Sequence, residues 1–332
     1  MAAALGARCQ RDVAIGPRTT YRVGGRAALF LDATAIDDLR GLAPVLAATG
    51  VPVLVLGRGS NVLVSDAGFP GLVITLASEP FGTVSMAPGG NDRPGGGGGG
   101  EEAYRVRAGG AVPLPVLARQ TAAAGLTGLE WAVGVPGSVG GAVRMNAGGH
   151  GADTGATLRH CRLVDLTTGR AETFSVGDLA LGYRCSSVTA TQVVVEAEYQ
   201  LGPGDRAESE ATIREIARWR REHQPGGQNA GSVFVNPLGE PPGNSAGWLV
   251  DAAGLKGHRH GSAAVSTKHA NFILADPDGR ADDVVALMLE VQELVNQRLG
   301  VELRAEVRLL GFPEHLLSRL GSGGERSPGE AS

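Results

Sequence analysis

The chain has 332 residues, of which 42% are hydrophobic and 19% charged, with a formal net charge of -4 at pH 7. This length supports two or three domains around a sizeable buried core, and the balance excludes a wholly disordered chain and a strongly basic nucleic-acid binder. No apolar run reaches the roughly 18–20 residues that span a membrane, and the opening MAAALGARCQRD lacks the basic start and apolar block of an export signal.

The elements follow in chain order. ALFLDA (28–33) reads as a strand and Ile36 to Ala48 as one helix, with Leu39, Leu42, Val45 and Leu46 at helical spacing and Gly50 at its end. VPVLVLG (51–57) is a buried strand followed by a turn and a second apolar run, NVLVSD. Residues 86–101, MAPGGNDRPGGGGGGE, cannot bury a core and are expected to be a mobile insertion. AYRVRAGG (103–110) alternates as a strand, and Leu114 to Ala124 is a helix closed by Gly125. The glycine-rich passage 129–155 shows little helical or strand period. CRLVDL, AETFSV and QVVVEAEYQL (192–201) are further strands. A break follows at GPGD (202–205).

Beyond the break, Glu208 to Arg221 and Ala246 to Ala253 read as helices. Ala281 to Leu299 is the clearest helix, with an inner stripe of Val284, Val285, Met288, Val291, Leu294 and Val295, and with Asp282 and Asp283 at its positive end. VELRAEVRLLG (301–311) is a closing strand. There Leu303, Ala305, Val307 and Leu309 share one face, and Arg304, Glu306 and Arg308 the other; periodicity alone makes the second a solvated face. The predicted class is α+β with mixed sheets. The expected division is an N-terminal part over 1–203 with subdomains of about 1–80 and 102–203, a C-terminal part over 204–312, and a flexible tail over 313–332.

Several segments carry chemistry. Gly57-Arg58-Gly59-Ser60-Asn61 follows a buried strand. A dinucleotide-binding fingerprint needs glycine at position 62 and then a helix; Val62 and a continuing strand exclude it. What remains is a tight turn whose amides can wrap a pyrophosphate, or a plain hairpin. Gly134 to Ala142, continuing to Asn146 and Gly148, interleaves glycines with Val135, Pro136 and Val139, which favours a rigid binding loop over a linker. Ser232 follows a glycine, but Phe234 excludes a nucleophile elbow. Arg184 in Gly182-Tyr183-Arg184 reads by itself as a surface arginine.

Three cysteines, Cys9, Cys161 and Cys185, suit a reducing compartment and neither a disulfide scaffold nor a zinc site. His258 and His260 are crowded, yet no carboxylate stands at ligand spacing nearby, so no metal site is expected. Basic residues outnumber acidic ones between 214 and 270, which suits an anionic small molecule better than a polymer. Lysine occurs only at Lys256 and Lys268.

Taken together, LGRGSNVLVSD, GLEWAVGVPGSVGGAVRMNAGGHG, GYRCS, NAGSVFVNP, AGWLVDAAGLKG, GSAAVSTKHANFIL and LRAEVRLLG, in this order and spacing, resemble one family, UDP-N-acetylenolpyruvoylglucosamine reductase. The resemblance runs from Thr19 to Gly311. It implies a cytoplasmic flavoenzyme of peptidoglycan synthesis, with an FAD-binding domain of the p-cresol methylhydroxylase and vanillyl-alcohol oxidase type and a C-terminal α+β domain for the UDP-sugar. FAD would be held non-covalently by Gly57, Arg58, Gly59, Ser60 and Asn61 and by Pro136, Gly137, Ser138, Gly140, Gly141 and Ala142, with Asn146 and Gly148 near the ring system. The implied catalytic residues are Arg184, Ser232 and Glu306, and Tyr183, Asn236 and Lys256 would line the substrate side.

NADPH is the implied co-substrate. The implied partners are small molecules alone, with no nucleic acid and no membrane insertion, and the implied state is a monomer. Many members carry lysine where this chain has Val235 and His223. The chain lacks the Tyr-Gly-Asp-Leu loop of the first subtype between 200 and 228, and so looks like the second, with a more open substrate channel. Two other readings stay open: a related FAD oxidase of a sugar or alcohol that uses oxygen, and a colourless nucleotide-sugar-binding protein.

Overall fold

A computed structural model describes residues 9–89, 103–237 and 245–322. The first sheet has the order β1-β2-β5-β3, formed by β1 (Cys9–Ala14), β2 (Arg26–Ala33), β3 (Val53–Val55) and β5 (Phe69–Leu76). β1 runs antiparallel to β2, while β5 runs parallel to both β2 and β3. Between β2 and β3 the expected single helix is two, α1 (Ile36–Arg40) and α2 (Ala43–Thr49). Pro44 in the first turn of α2 cannot donate a hydrogen bond to an earlier turn, so the helix restarts there. β4 (Val62–Val64) leaves this sheet and pairs elsewhere.

After the short α3 (Ser78–Phe81), a six-stranded sheet follows. It contains β6 (Val84–Pro88), β7 (Tyr104–Gly109), β8 (Leu126–Thr127), β11 (Leu158–Asp165), β12 (Ala171–Ser175) and β13 (Gln192–Pro203). The expected insertion therefore starts later than 86, since Met86 to Pro88 pair with Val106 to Tyr104 in a regular ladder. Its residues 90–101 lie outside the described residues. α4 (Leu114–Ala123) packs Leu114, Leu117, Ala118 and Ala122 into the core beneath this sheet.

The passage 129–155 is more regular than its glycines suggest. It holds a 3-10 turn (Glu130–Gly134), α5 (Val139–Met145) and a hairpin of β9 (Gly148–Gly149) with β10 (Ala152–Asp153). Ser138 caps α5 by accepting from the Gly141 amide at 3.5 Å.

α6 (Arg206–His223) is N-capped by Asp205, whose Oδ1 accepts from Glu208 N at 2.9 Å. The break at 202–205 is not where the packing changes. Ile213 sits in the core of the six-stranded sheet, and Ser209 Oγ donates to Glu130 Oε1 at 2.7 Å. The C-terminal unit follows α6, with α7 (Ala246–Ala252), a three-stranded sheet of β14 (Arg259–His260), β15 (Ala263–Val265) and β16 (Ile273–Ala275), and α8 (Ala281–Leu299). α8 buries Val284, Val285, Leu287, Met288, Val291 and Val295, and Gly300 ends it in the left-handed region (φ 69°) that costs other residues strain.

The expected closing strand is only β17 (Arg308–Leu310), which pairs parallel with β4. Residues 301–307 are not a ladder strand, yet Leu303, Ala305 and Val307 are all buried, so the alternation holds. The expected flexible tail does not begin at 313. α9 (Glu314–Arg319) follows, Leu320 is fully buried, and its carbonyl accepts from Ala305 N at 2.7 Å. Residues 323–332 lie outside the described residues.

Candidate active site

The turn 57–61 leaves β3 and enters β4. Gly59 takes φ 61°, and a Cβ there would lie 2.6 Å from Thr19 Cα, so only glycine lets the turn rest on residues 19–20. Thr20 N donates to Gly59 O at 3.1 Å. Among the described residues, the amides of 57–61 donate to no protein acceptor. The second expected cofactor loop lies beside this turn. Arg58 Nε donates to Pro136 O at 3.2 Å, and a Cβ on Gly57 would meet Ser138 Oγ at 2.6 Å.

Gly137 and Gly141 have only ordinary contacts at a would-be Cβ, the nearest being Ser60 Oγ and Ser138 Oγ at 3.6 Å, so their backbone is open. Bare amides on one loop and open glycine backbone on the other fit the pyrophosphate of FAD. Gly140 serves packing instead: its amide donates to Gly110 O at 2.9 Å, and a Cβ would sit 3.1 Å from Val194 O. Ala142 is buried in the core. Gly148 lies in the hairpin, where a Cβ would meet Ala152 O at 2.6 Å.

Asn146 ends α5 at φ 38° and is buried. Its Nδ2 donates to Asp153 Oδ2 and to Gly182 O, each at 3.0 Å, and its Oδ1 accepts from Gly155 N at 3.0 Å. These bonds tie the glycine-rich passage to the turn that carries Tyr183 and Arg184.

Arg184 is no surface arginine. It sits at φ 58° in a turn closed between Gly182 and Cys185, and its Nε lies 3.2 Å from Glu306 Oε1. Both side chains are largely buried, at 24% and 14% exposure, so this pair is shielded and the face carrying Glu306 is not solvated. The Tyr183 ring lies 5.0 Å from the Arg184 guanidinium carbon and is itself half exposed. Arg144, Ser186 and Arg308 join Arg184 and Glu306 around one cavity. Three guanidiniums around one carboxylate make a lining suited to an anion.

The Ser232 segment lies against the extended segment that carries Glu306. Glu306 N donates to Val233 O at 2.8 Å, and Val235 N donates to Arg304 O at 2.9 Å. Asn271, buried and unforeseen from the sequence, clamps this segment. It accepts from Phe234 N at 3.0 Å through Oδ1 and donates to Phe234 O at 2.8 Å through Nδ2. A lone Asn-Phe pair carries no signal that would have revealed it. Asn61 closes the arrangement, donating from Nδ2 to Glu306 O at 3.3 Å. The turn 57–61, Arg184, Glu306 and the Ser232 segment therefore converge.

Two expected substrate residues have local partners. Asn236 Oδ1 accepts from Ala246 N at 2.9 Å, and Lys256 Nζ pairs with Asp251 at 2.5 Å. Arg259 pairs with Asp276, and Lys268 donates to Arg221 O, so the basic excess of 214–270 is partly neutralised. Burial pushes the Arg220 guanidinium below its ordinary value. The crowded histidines meet a carboxylate from far along the chain: Glu290 of α8 bonds His258 at 3.0 Å and His260 at 2.6 Å. No helix among the described residues is long and apolar enough to cross a membrane.

Comparison with known proteins agrees with this layout. A model of an FAD binding domain matches residues 27–177, and one described as the UDP-N-acetylenolpyruvoylglucosamine reductase C-terminal domain matches 223–310. A protein of Rubrobacter xylanophilus named UDP-N-acetylenolpyruvoylglucosamine reductase is 41% identical over 297 residues, covering 89% of this chain and 93% of the relative. One of Symbiobacterium thermophilum, named UDP-N-acetylenolpyruvoylglucosamine reductase 2, is 38% identical over 306 residues, 92% of each chain. The crystal structure of UDP-N-acetylenolpyruvylglucosamine reductase from Thermus caldophilus superposes with a TM-score of 0.72 at 34% identity, covering 91% of this chain and 99% of that one.

Proposed function

The chain belongs to the UDP-N-acetylenolpyruvoylglucosamine reductase family and is an FAD-dependent oxidoreductase, and from that premise we propose that it uses NADPH to reduce the enolpyruvyl ether of UDP-N-acetylglucosamine to UDP-N-acetylmuramate. The observation that carries this reading is the buried Arg184–Glu306 pair beside the Ser232 segment and the amide-lined turn 57–61.

Bound FAD supplies hydride transfer, from NADPH and then to the methylene carbon of the substrate. As that carbon becomes a methyl group, negative charge builds on the α carbon and spreads into the carboxylate. Arg184 meets this charge. Its Nε is held by Glu306, and its Nη1 and Nη2 have no hydrogen-bond partner among the described residues, so a planar edge remains for a bidentate carboxylate clamp. Glu306 near the substrate carboxylate needs a proton or a water between them, since like charges repel. Ser232 Oγ then gives its proton to the α carbon. Serine is a weak acid, but the recipient is a strong base and the segment is held rigidly by Asn271 and Glu306.

The three unpaired cysteines suit a reducing cytoplasm. Tyr183, Asn236 and Lys256 belong to the substrate side in this reading. The purified protein is expected to be yellow, to bleach with NADPH under anaerobic conditions, and to recover its colour when the enolpyruvyl substrate is added. Recovery with oxygen and not with that substrate identifies an oxidase instead. A colourless protein that binds UDP-sugar overturns the reading altogether.

A further inference from the structure

We propose that Asn146 and Ser186 are positioning residues for the reaction, holding the Arg184 turn in a conformation it would not keep by itself. The inference rests on the proposed role of Arg184 as the carboxylate clamp.

Arg184 occupies the left-handed region at φ 58°. For a residue with a Cβ this costs roughly 1–2 kcal/mol and persists only when the surroundings over-determine it. The turn's own closure is modest, from Gly182 N to Cys185 O at 3.1 Å and from Cys185 N to Gly182 O at 3.4 Å. Two side chains add to it, one at each shoulder. On the leading side, Asn146 Nδ2 donates to Gly182 O at 3.0 Å. On the trailing side, Ser186 Oγ donates to Arg144 O at 2.7 Å and accepts from Val188 N at 3.2 Å.

Both shoulders thus end on the same place. Arg144 is in the last turn of α5 and Asn146 is its C-terminal cap. The other end of α5 is fixed to the sheet, Val139 N to Val112 O and Gly140 N to Gly110 O, each at 2.9 Å. The helix is therefore a strut between the sheet and the turn. The Asn146 side-chain amide is held at both ends. Its two amide hydrogens go to Asp153 and Gly182, and its oxygen accepts from Gly155, which also fixes the orientation of the amide. Both side chains are at least nine-tenths buried, so water does not replace these bonds freely. Without them the Arg184 backbone relaxes toward ordinary conformations and the guanidinium leaves Glu306.

A double-mutant cycle on the two half-reactions tests this. Asn146→Ala and Ser186→Ala are made in the wild-type and in the Arg184→Ala holoenzymes. FAD content is read from the visible spectrum, and bleaching by NADPH and recovery with the enolpyruvyl substrate by stopped flow. Ser186→Ala is expected to keep its FAD and its bleaching rate while recovery slows on the order of 10²-fold, the usual effect of a displaced catalytic group. In the Arg184→Ala enzyme the same change is expected to slow recovery by less than about twofold, because the residue it serves is gone. Equal slowing in both backgrounds, or loss of FAD from Ser186→Ala, overturns the proposal. Wild-type recovery in both single variants while Arg184→Ala is slow also overturns it and leaves the clamp standing. Wild-type recovery in Arg184→Ala removes the clamp itself and this inference with it. Asn146→Ala carries the same cycle with recovery alone as its readout, because the family resemblance places Asn146 near the ring system.

Discussion

Asn61 and Glu306 are 245 residues apart in the chain, and the Asn61 side-chain amide donates to the Glu306 carbonyl at 3.3 Å. The contact is reinforced by Arg308 N to Asn61 O at 3.0 Å and by the parallel pairing of Arg308–Leu310 with Val62–Val64. The last strand of the chain is thereby stitched to the turn that fits the cofactor. A carboxylate from the C-terminal unit acquires a set position relative to a turn of the N-terminal unit, which two separately packed bodies joined by a loop would not provide.

The clamp role of Arg184 predicts that lysine will not replace it. Lysine offers one compact charge in place of a planar fork, so both the Glu306 contact and the paired carboxylate bonds are lost. Arg184→Lys is expected to lower kcat/KM for the enolpyruvyl substrate by about 10²-fold, corresponding to about 3 kcal/mol for hydrogen bonds to charged groups. A variant within threefold of wild type would remove the clamp from the mechanism.

The proposed role of Ser232 as proton donor confines it to one half of the cycle. Ser232→Ala is expected to leave bleaching by NADPH unchanged and to slow reoxidation by the enolpyruvyl substrate by about 10²–10⁴-fold, the range for a positioned proton donor. Stopped-flow absorbance separates the two steps. Equal loss in both contradicts the assigned role.

Two glycines of the cofactor turn should respond differently to alanine. Gly59→Ala forces a Cβ to within 2.6 Å of the Thr19 backbone at φ 61°, and is expected to cost about 1–3 kcal/mol and to reduce FAD retention. In Gly57→Ala the obstructing atom is the Ser138 hydroxyl, which can rotate away at the expense of a helix cap worth about 1 kcal/mol. Chemical denaturation and flavin content of the two purified variants check the order; a milder effect at Gly59 would count against the turn geometry.

His269 is expected to set part of the acid limit of stability. Burial, with the nearby Lys256 charge, holds its pKa below the ordinary histidine value. The unfolded chain therefore takes up a proton at about pH 6.5 while the folded chain does not, so this stabilisation is present above that pH and is lost as pH falls toward the folded value. Urea denaturation between pH 7.5 and 5.5 should show stability declining, with a shallower decline in His269→Gln. An unchanged slope in the variant would assign the decline to other groups.

Local patterns reach the elements well. Ala281–Leu299 ends where its acidic first turn and Gly300 say it should, and the buried alternation of Leu303, Ala305 and Val307 survives without a ladder strand. These features are set by neighbours within a few residues, through periodicity and capping. The passage 129–155 is less legible, because α5 is only seven residues long and rests on Ser138 and on strand carbonyls more than on its own propensity.

By itself the sequence determined the class of protein, the seven ordered motifs, and Arg184, Ser232 and Glu306 as the residues proposed for the chemistry. It could not show that Arg184 is buried against Glu306, that Asn146 and Ser186 grip the Arg184 turn, or that Glu290 meets two histidines. Those facts belong to the tertiary structure. A hydrogen bond between residues 122 positions apart depends on how two sheets, a short helix and a closing strand pack, and no local spacing encodes that distance.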